Sequence, residues 1–120
     1  MYFGLVHYPQ IEHSGFQNFR HRYDPYANLL PVHVTFIHPV PESIGREKLE
    51  RHIVTVIDSW KSFKVHFCLL EKTWDHWLYL GAKEGHSQVV DLLDQLYKGI
   101  LSPHLREDLP FYPHIGLGLF

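Results

Sequence analysis

Apolar positions recur along this chain at two spacings, and their alternation with polar residues divides it into short strands and amphipathic helices. Residues 2–8 are rich in β-formers and stop at Pro9, which predicts a first strand. Phe16, Phe19 and Tyr23 then recur at helical spacing, weakened by Gly15 and closed by Asp24-Pro25. Residues 32–38 read as a second strand, ended by Pro39 and Pro41. Ser43 is the expected N-cap of a helix whose stripe is Leu49, Ile53, Val56, Ile57 and Trp60, with Glu47, Lys48, Glu50 and Arg51 on the wet side. Residues 63–69 alternate cleanly and predict a strand. Residues 76–80 predict another, after a loop holding Trp74 and Asp75, where Trp74 and Trp77 read as packing residues. Gly81 to Gly85 turns the chain into a third helix, with a stripe of Val89, Leu92, Leu93, Leu96, Tyr97 and Ile100. Residues 102–112 read as a loop broken by Pro103 and Pro110, and residues 113–120 as the last strand. The order strand, helix, strand, helix, strand, strand, helix, strand is an α+β layout, with helices packed on a mostly antiparallel sheet.

Within two of these strands the alternation isolates a histidine. Residues two apart on a strand share a face, so Val34 and Phe36 point one way and His33 and Thr35 the other. In the last strand Ile115, Leu117 and Leu119 form the apolar row, opposite His114, Gly116 and Gly118. The two histidine strands lie in different halves of the chain, each after a helix and a proline-containing loop. This weak repeat predicts two related lobes whose histidines meet in a cleft.

Composition narrows the classes. The 120 residues suffice for one domain, and 45% hydrophobic against 20% charged residues describes a globular chain. A net charge of −2 argues against coating long nucleic acids by charge, but leaves room for a small anionic ligand. The single cysteine, Cys68, excludes an internal disulfide and fits a reducing compartment. With no basic leader and no membrane-spanning run, a soluble cytoplasmic protein is expected. Eleven histidines invite a metal, yet there is no His-x-x-x-His pair on a helix, no Cys-x-x-Cys pair and no glycine-rich phosphate loop opening a helix. No metal or cofactor is expected.

Two histidines across a cleft can cleave a phosphodiester without metal. One imidazole takes a proton from water or a ribose hydroxyl, and the other, protonated, gives one to the leaving oxygen. A hydroxyl on the same strand face, here Thr35, can donate to the phosphoryl oxygens as charge builds on them. Arg20, His21 and Arg22 could steer a phosphate, although a charged helix face is usually only solvated.

The motifs His33-Val34-Thr35-Phe36 and His114-Ile115-Gly116-Leu117 resemble the paired His-x-Thr/Ser-hydrophobic motifs of the 2H phosphoesterase superfamily, which includes 2′-5′ RNA ligase-like proteins and cyclic phosphodiesterases. The flanking segments, residues 20–25, residues 96–99 and Pro113, match as well, so the resemblance spans the chain. It implies a two-lobed, pseudo-symmetric fold with antiparallel sheets and helices packed outside. It also implies a metal-independent phosphodiesterase acting on a 2′,3′-cyclic phosphate or 2′,5′ linkage of an RNA end or nucleotide. His33 and His114 would be the acid/base pair, Thr35 and Gly116 the phosphate positions, and Arg22, Tyr23, Phe111 and Tyr112 candidate substrate contacts. Two departures stand out. Gly116 replaces a threonine or serine, removing a hydroxyl donor. The sequence ends at Phe120, where members of that group usually continue, so the second lobe is open to being incomplete. The alternatives are a module that binds RNA ends or nucleotides with weakened turnover, and a non-catalytic module that self-associates through an exposed C-terminal strand.

Overall fold

The computed structural model describes residues 1–11, 14–106 and 113–119. In chain order it contains β1 (Tyr2–His7), α1 (Ser14–Tyr23), β2 (Val34–Pro41), α2 (Arg46–Ile57), β3 (Phe67–Lys72), β4 (Trp77–Ala82), α3 (His86–Leu96) and β5 (His114–Leu119). Short 3-10 helices lie at Glu42–Ile44 and Gly99–His104. Strands β1 and β2 pair antiparallel in one sheet; β3, β4 and β5 form a second antiparallel sheet in that order. The architecture is α+β, with antiparallel sheets and helices, as the apolar pattern predicts. No helix among the described residues is long and apolar enough to cross a membrane.

The largest departure from the sequence reading is in β2. It starts at Val34, so His33 lies just before the strand, and it continues through Pro39 to Pro41. The register explains why proline does not stop it. Leu5 faces Ile37 while Val6 faces Thr35, which leaves Phe36 as an extra residue; Phe3 faces Val40, which leaves another between Ile37 and Val40. These are bulges, where the ladder is already interrupted and the missing proline N–H costs little. The bulge at Phe36 also shifts the phase of the strand. The buried row is Val34, Ile37 and Val40, and Phe36 is only half-buried, so Val34 and Phe36 do not form the simple row that strict alternation predicts.

Smaller shifts follow from local chemistry. Ser43 sits in the first 3-10 helix, and Gly45 takes the N-cap position of α2 with no side-chain cap. The alternation of residues 63–67 persists in burial, but regular pairing begins at Phe67, where β3 meets β4. The predicted loop at 102–112 starts inside the second 3-10 helix, with Pro103 accommodated there. Trp60 lies beyond α2, donating from Nε1 to Gln95 Oε1 at 2.9 Å.

Two apolar clusters hold the elements together. Ile37, Val40, Leu49, Leu96 and Leu101 join β2 to α2, α3 and the second 3-10 helix. Val32, Val34 and Ile115 join the two sheets, with Phe16, Phe36, Phe67 and Leu80 against them. The C-terminal turn of α1 lies directly on β5. A Cβ built on Gly118 would stand 2.7 Å from the Tyr23 carbonyl carbon and 2.8 Å from its oxygen, whereas one built on Gly116 meets nothing within 4 Å.

That contrast within one strand is measurable. Gly118→Ala is expected to lower stability by about 1–3 kcal/mol through overpacking against α1. Gly116→Ala should stay within about 0.5 kcal/mol of the wild type. Urea unfolding of the two variants checks this; a neutral Gly118→Ala would contradict the close seating of α1 on β5.

Candidate active site

The inter-sheet cluster decides where the histidines go. Val32 and Val34 are 3% exposed and Ile115 is 1% exposed, packed in one cluster. Each is a chain neighbour of a histidine, and neighbours on extended backbone point to opposite sides. Burying these side chains against each other therefore turns His33, Thr35, His114 and Gly116 to a common outer face. All four line one cavity of about 280 Å³, together with Arg20, Asp24, Tyr26, Leu30 and Trp77. Thr35 and Gly116 stand two residues after their histidines, the first with its hydroxyl and the second with open space where a side chain would go. An adjoining cavity of about 250 Å³ shares His114, Gly116 and Trp77 and adds Thr73, Asp75, Leu78 and Tyr79.

Hydrogen bonding sets the state of His33. Its Nδ1 lies 3.0 Å from the Pro31 carbonyl oxygen, which can only accept, so Nδ1 carries the hydrogen. In the neutral ring this leaves Nε2 as the acceptor. The His114 ring meets the Tyr79 ring edge-on, with centroids 5.2 Å apart.

The sequence reading places Arg20 on a solvated helix face, and here it is corrected. Arg20 is 2% exposed and Asp24 9%. Arg20 donates from Nε and Nη2 to Asp24 Oδ2 at 3.1 and 2.8 Å, and from Nη2 to the Leu30 carbonyl at 2.9 Å. The other carboxylate oxygen, Asp24 Oδ1, accepts the Tyr26 N–H at 2.9 Å. Burial is tolerable because the charges are paired and hydrogen-bonded. The spacing of Arg20 and Asp24, four apart at a helix end, was a legible signal of this pair. By contrast His21 and Arg22 are exposed.

Other predicted positions fall elsewhere. Arg22 lies over the Tyr23 ring, 5.4 Å from its centroid, and Tyr23 packs on Phe19 with centroids 4.6 Å apart. Neither lines the cavity. Phe111 and Tyr112 lie outside the described residues, as does Phe120. Trp74 does not pack: it is 93% exposed at the β3–β4 turn. Cys68 is exposed and unbridged. Among the described residues, no three His, Cys, Asp or Glu side chains gather as a metal site requires.

One histidine near the site was not anticipated. After the Phe36 bulge Ile37 turns inward, which leaves His38 on the opposite face of β2. Its backbone N–H donates to the Tyr97 hydroxyl at 3.1 Å, tying this part of β2 to the end of α3. Burial, and then the positive charges of His114 and Arg106, hold the His38 imidazole below its ordinary value of 6.5. As pH falls below about 6.5, the unfolded chain therefore takes up the proton before the folded one, and stability declines until the folded-state value is passed. His38→Asn is expected to flatten this decline, with melting temperatures at pH 7.5 and 5.5 as the check; an unchanged slope would contradict the environment described for His38.

A search of the curated proteins finds no match to the chain. The family model described as "2'-5' RNA ligase superfamily" matches residues 8–120, which include every residue of the cavity. This protein therefore belongs to the 2′-5′ RNA ligase superfamily, consistent with the 2H phosphoesterase motifs in its sequence.

Proposed function

We propose that the chain is a metal-independent phosphodiesterase that opens a 2′,3′-cyclic phosphate, or cleaves a 2′,5′-phosphodiester, at an RNA end or nucleotide. The observation that carries this reading is the single cavity lined by His33, Thr35, His114 and Gly116. The reading treats residues 1–120 as one domain of two pseudo-symmetric lobes, with the cavity between its halves.

For a cyclic phosphate the chemistry runs as follows. His33, its Nδ1–H turned to the Pro31 carbonyl, presents Nε2 as general base and takes a proton from water. The water oxygen bonds to phosphorus, and one ribose oxygen–phosphorus bond breaks. His114, protonated, gives its proton to that oxygen. The products are a phosphomonoester and a free ribose hydroxyl, and one proton exchange returns both rings to their starting states. Thr35 donates to a phosphoryl oxygen as charge develops. Gly116 supplies no hydroxyl. Loss of one such donor typically costs on the order of a hundredfold in rate.

That missing donor favours a second reading, a nucleotide- or RNA-end-binding module with weak turnover. Incubation with 2′,3′-cyclic nucleotides in the presence of a chelator separates the two. The enzyme reading expects turnover in chelator, lowered at least about a hundredfold in His33→Ala and in His114→Ala. It expects equal or higher activity in Gly116→Thr, because a Cβ at this position meets nothing within 4 Å. Turnover surviving in either histidine variant would overturn the assigned pair, and turnover abolished by chelator would overturn the metal-free mechanism. Nucleotide binding without turnover selects the binding module.

A further inference from the structure

We propose that the stacked Tyr26 and Trp77 rings form a nucleobase platform in the lining of the cavity, so that the ligand carries a base beside its phosphate. The proposal rests on the reading of the cavity as a phosphate site, and it adds what that reading leaves open: which part of the substrate supplies recognition.

The two rings come from different elements of the fold. Tyr26 lies in the turn after α1, with its N–H bonded to Asp24 Oδ1 and its carbonyl accepting the Leu29 and Leu30 N–H groups, each at 2.9 Å. Trp77 opens β4. Its N–H donates to Thr73 Oγ1 at 3.1 Å, and its carbonyl accepts the Thr73 N–H at 2.8 Å. Both backbones are anchored while the rings stay accessible: Tyr26 is 52% exposed and Trp77 half-buried. Both line the cavity that holds His33, Thr35 and His114.

Their geometry suits a flat guest. The planes are parallel within 2° and the centroids are 6.2 Å apart. Parallel planes at this centroid distance make an offset stack. The offset leaves part of each face open to a base. Left empty, the pair exposes aromatic surface beside a polar centre; a base covers that surface and places its own sugar and phosphate against the histidines. Every base has a π-face, so the platform demands a base without choosing which one.

The test reads binding rather than turnover. Adenosine 3′-monophosphate and its base-free counterpart, ribose 3-phosphate, are titrated by calorimetry into the wild type, Trp77→Ala, Trp77→Phe and Tyr26→Ala. The nucleotide is expected to bind about ten- to a hundredfold tighter than the base-free ester. Trp77→Ala should erase most of that preference, Trp77→Phe should keep most of it, and Tyr26→Ala, at an exposed position that does not threaten folding, should lose about tenfold. Equal affinity for the two ligands, or a preference that survives both alanine variants, overturns the platform even where cyclic nucleotides are hydrolysed. A base preference that depends on Tyr26 and Trp77, in a protein that turns nothing over, sustains the platform and retires the hydrolase reading. Binding of neither ligand overturns both.

Discussion

The buried ion pair between Arg20 and Asp24 is the constraint on which this site depends. Asp24 follows the last residue of α1, and through Oδ1 it fixes the Tyr26 N–H. Arg20 holds the other end of the same loop through the Leu30 carbonyl. One guanidinium thus spans the connection that delivers Tyr26, Leu30 and then His33 to the cavity wall. A buried pair of this kind contributes little net stability, since desolvation offsets most of the attraction. Its consequence here is geometric: it selects one conformation for a loop that carries little apolar burial of its own.

The placement of the two histidines depends on packing as well. Val32, Val34 and Ile115 bury side chains that each contribute about 1.5–3 kcal/mol, a large share of a typical domain stability of about 5–15 kcal/mol. The juxtaposition of His33 and His114 is a by-product of that burial, so the fold cannot relax the site without giving up core contacts. Gly118 adds a second condition. Only the absence of a Cβ lets the last turn of α1 rest on β5, and that contact brings Arg20 beside Gly116.

Much of this was legible in the chain. Alternation about His33 and His114, with apolar neighbours on either side, foretold two histidines facing away from one core, and the order of strands and helices follows directly from apolar spacing. The errors have physical causes. Strict alternation cannot anticipate a bulge, so the phase change at Phe36, and with it the placement of His38, was hidden. Local rules treat Pro39 as a strand breaker because they do not know that it falls where the ladder is already interrupted. Arg20 looked solvated because charge on a helix face says nothing of what lies over that face, although its spacing from Asp24 carried the missing clue. Tyr26 and Trp77 left no signal, because their partnership joins a turn and a strand that only the tertiary fold brings together.

Amide hydrogen exchange in an Arg20→Met/Asp24→Leu double variant addresses the central claim most directly. Apolar replacement of a buried pair is usually neutral or stabilising, so the fold should survive. If the pair holds the loop, the Tyr26, Leu29 and Leu30 amides lose at least about tenfold in protection, since opening then costs little, while the Leu96 amide in α3 stays as protected as in the wild type. Unchanged protection at Tyr26, Leu29 and Leu30 in a folded double variant would contradict the account, and would mean that the site is held by packing alone.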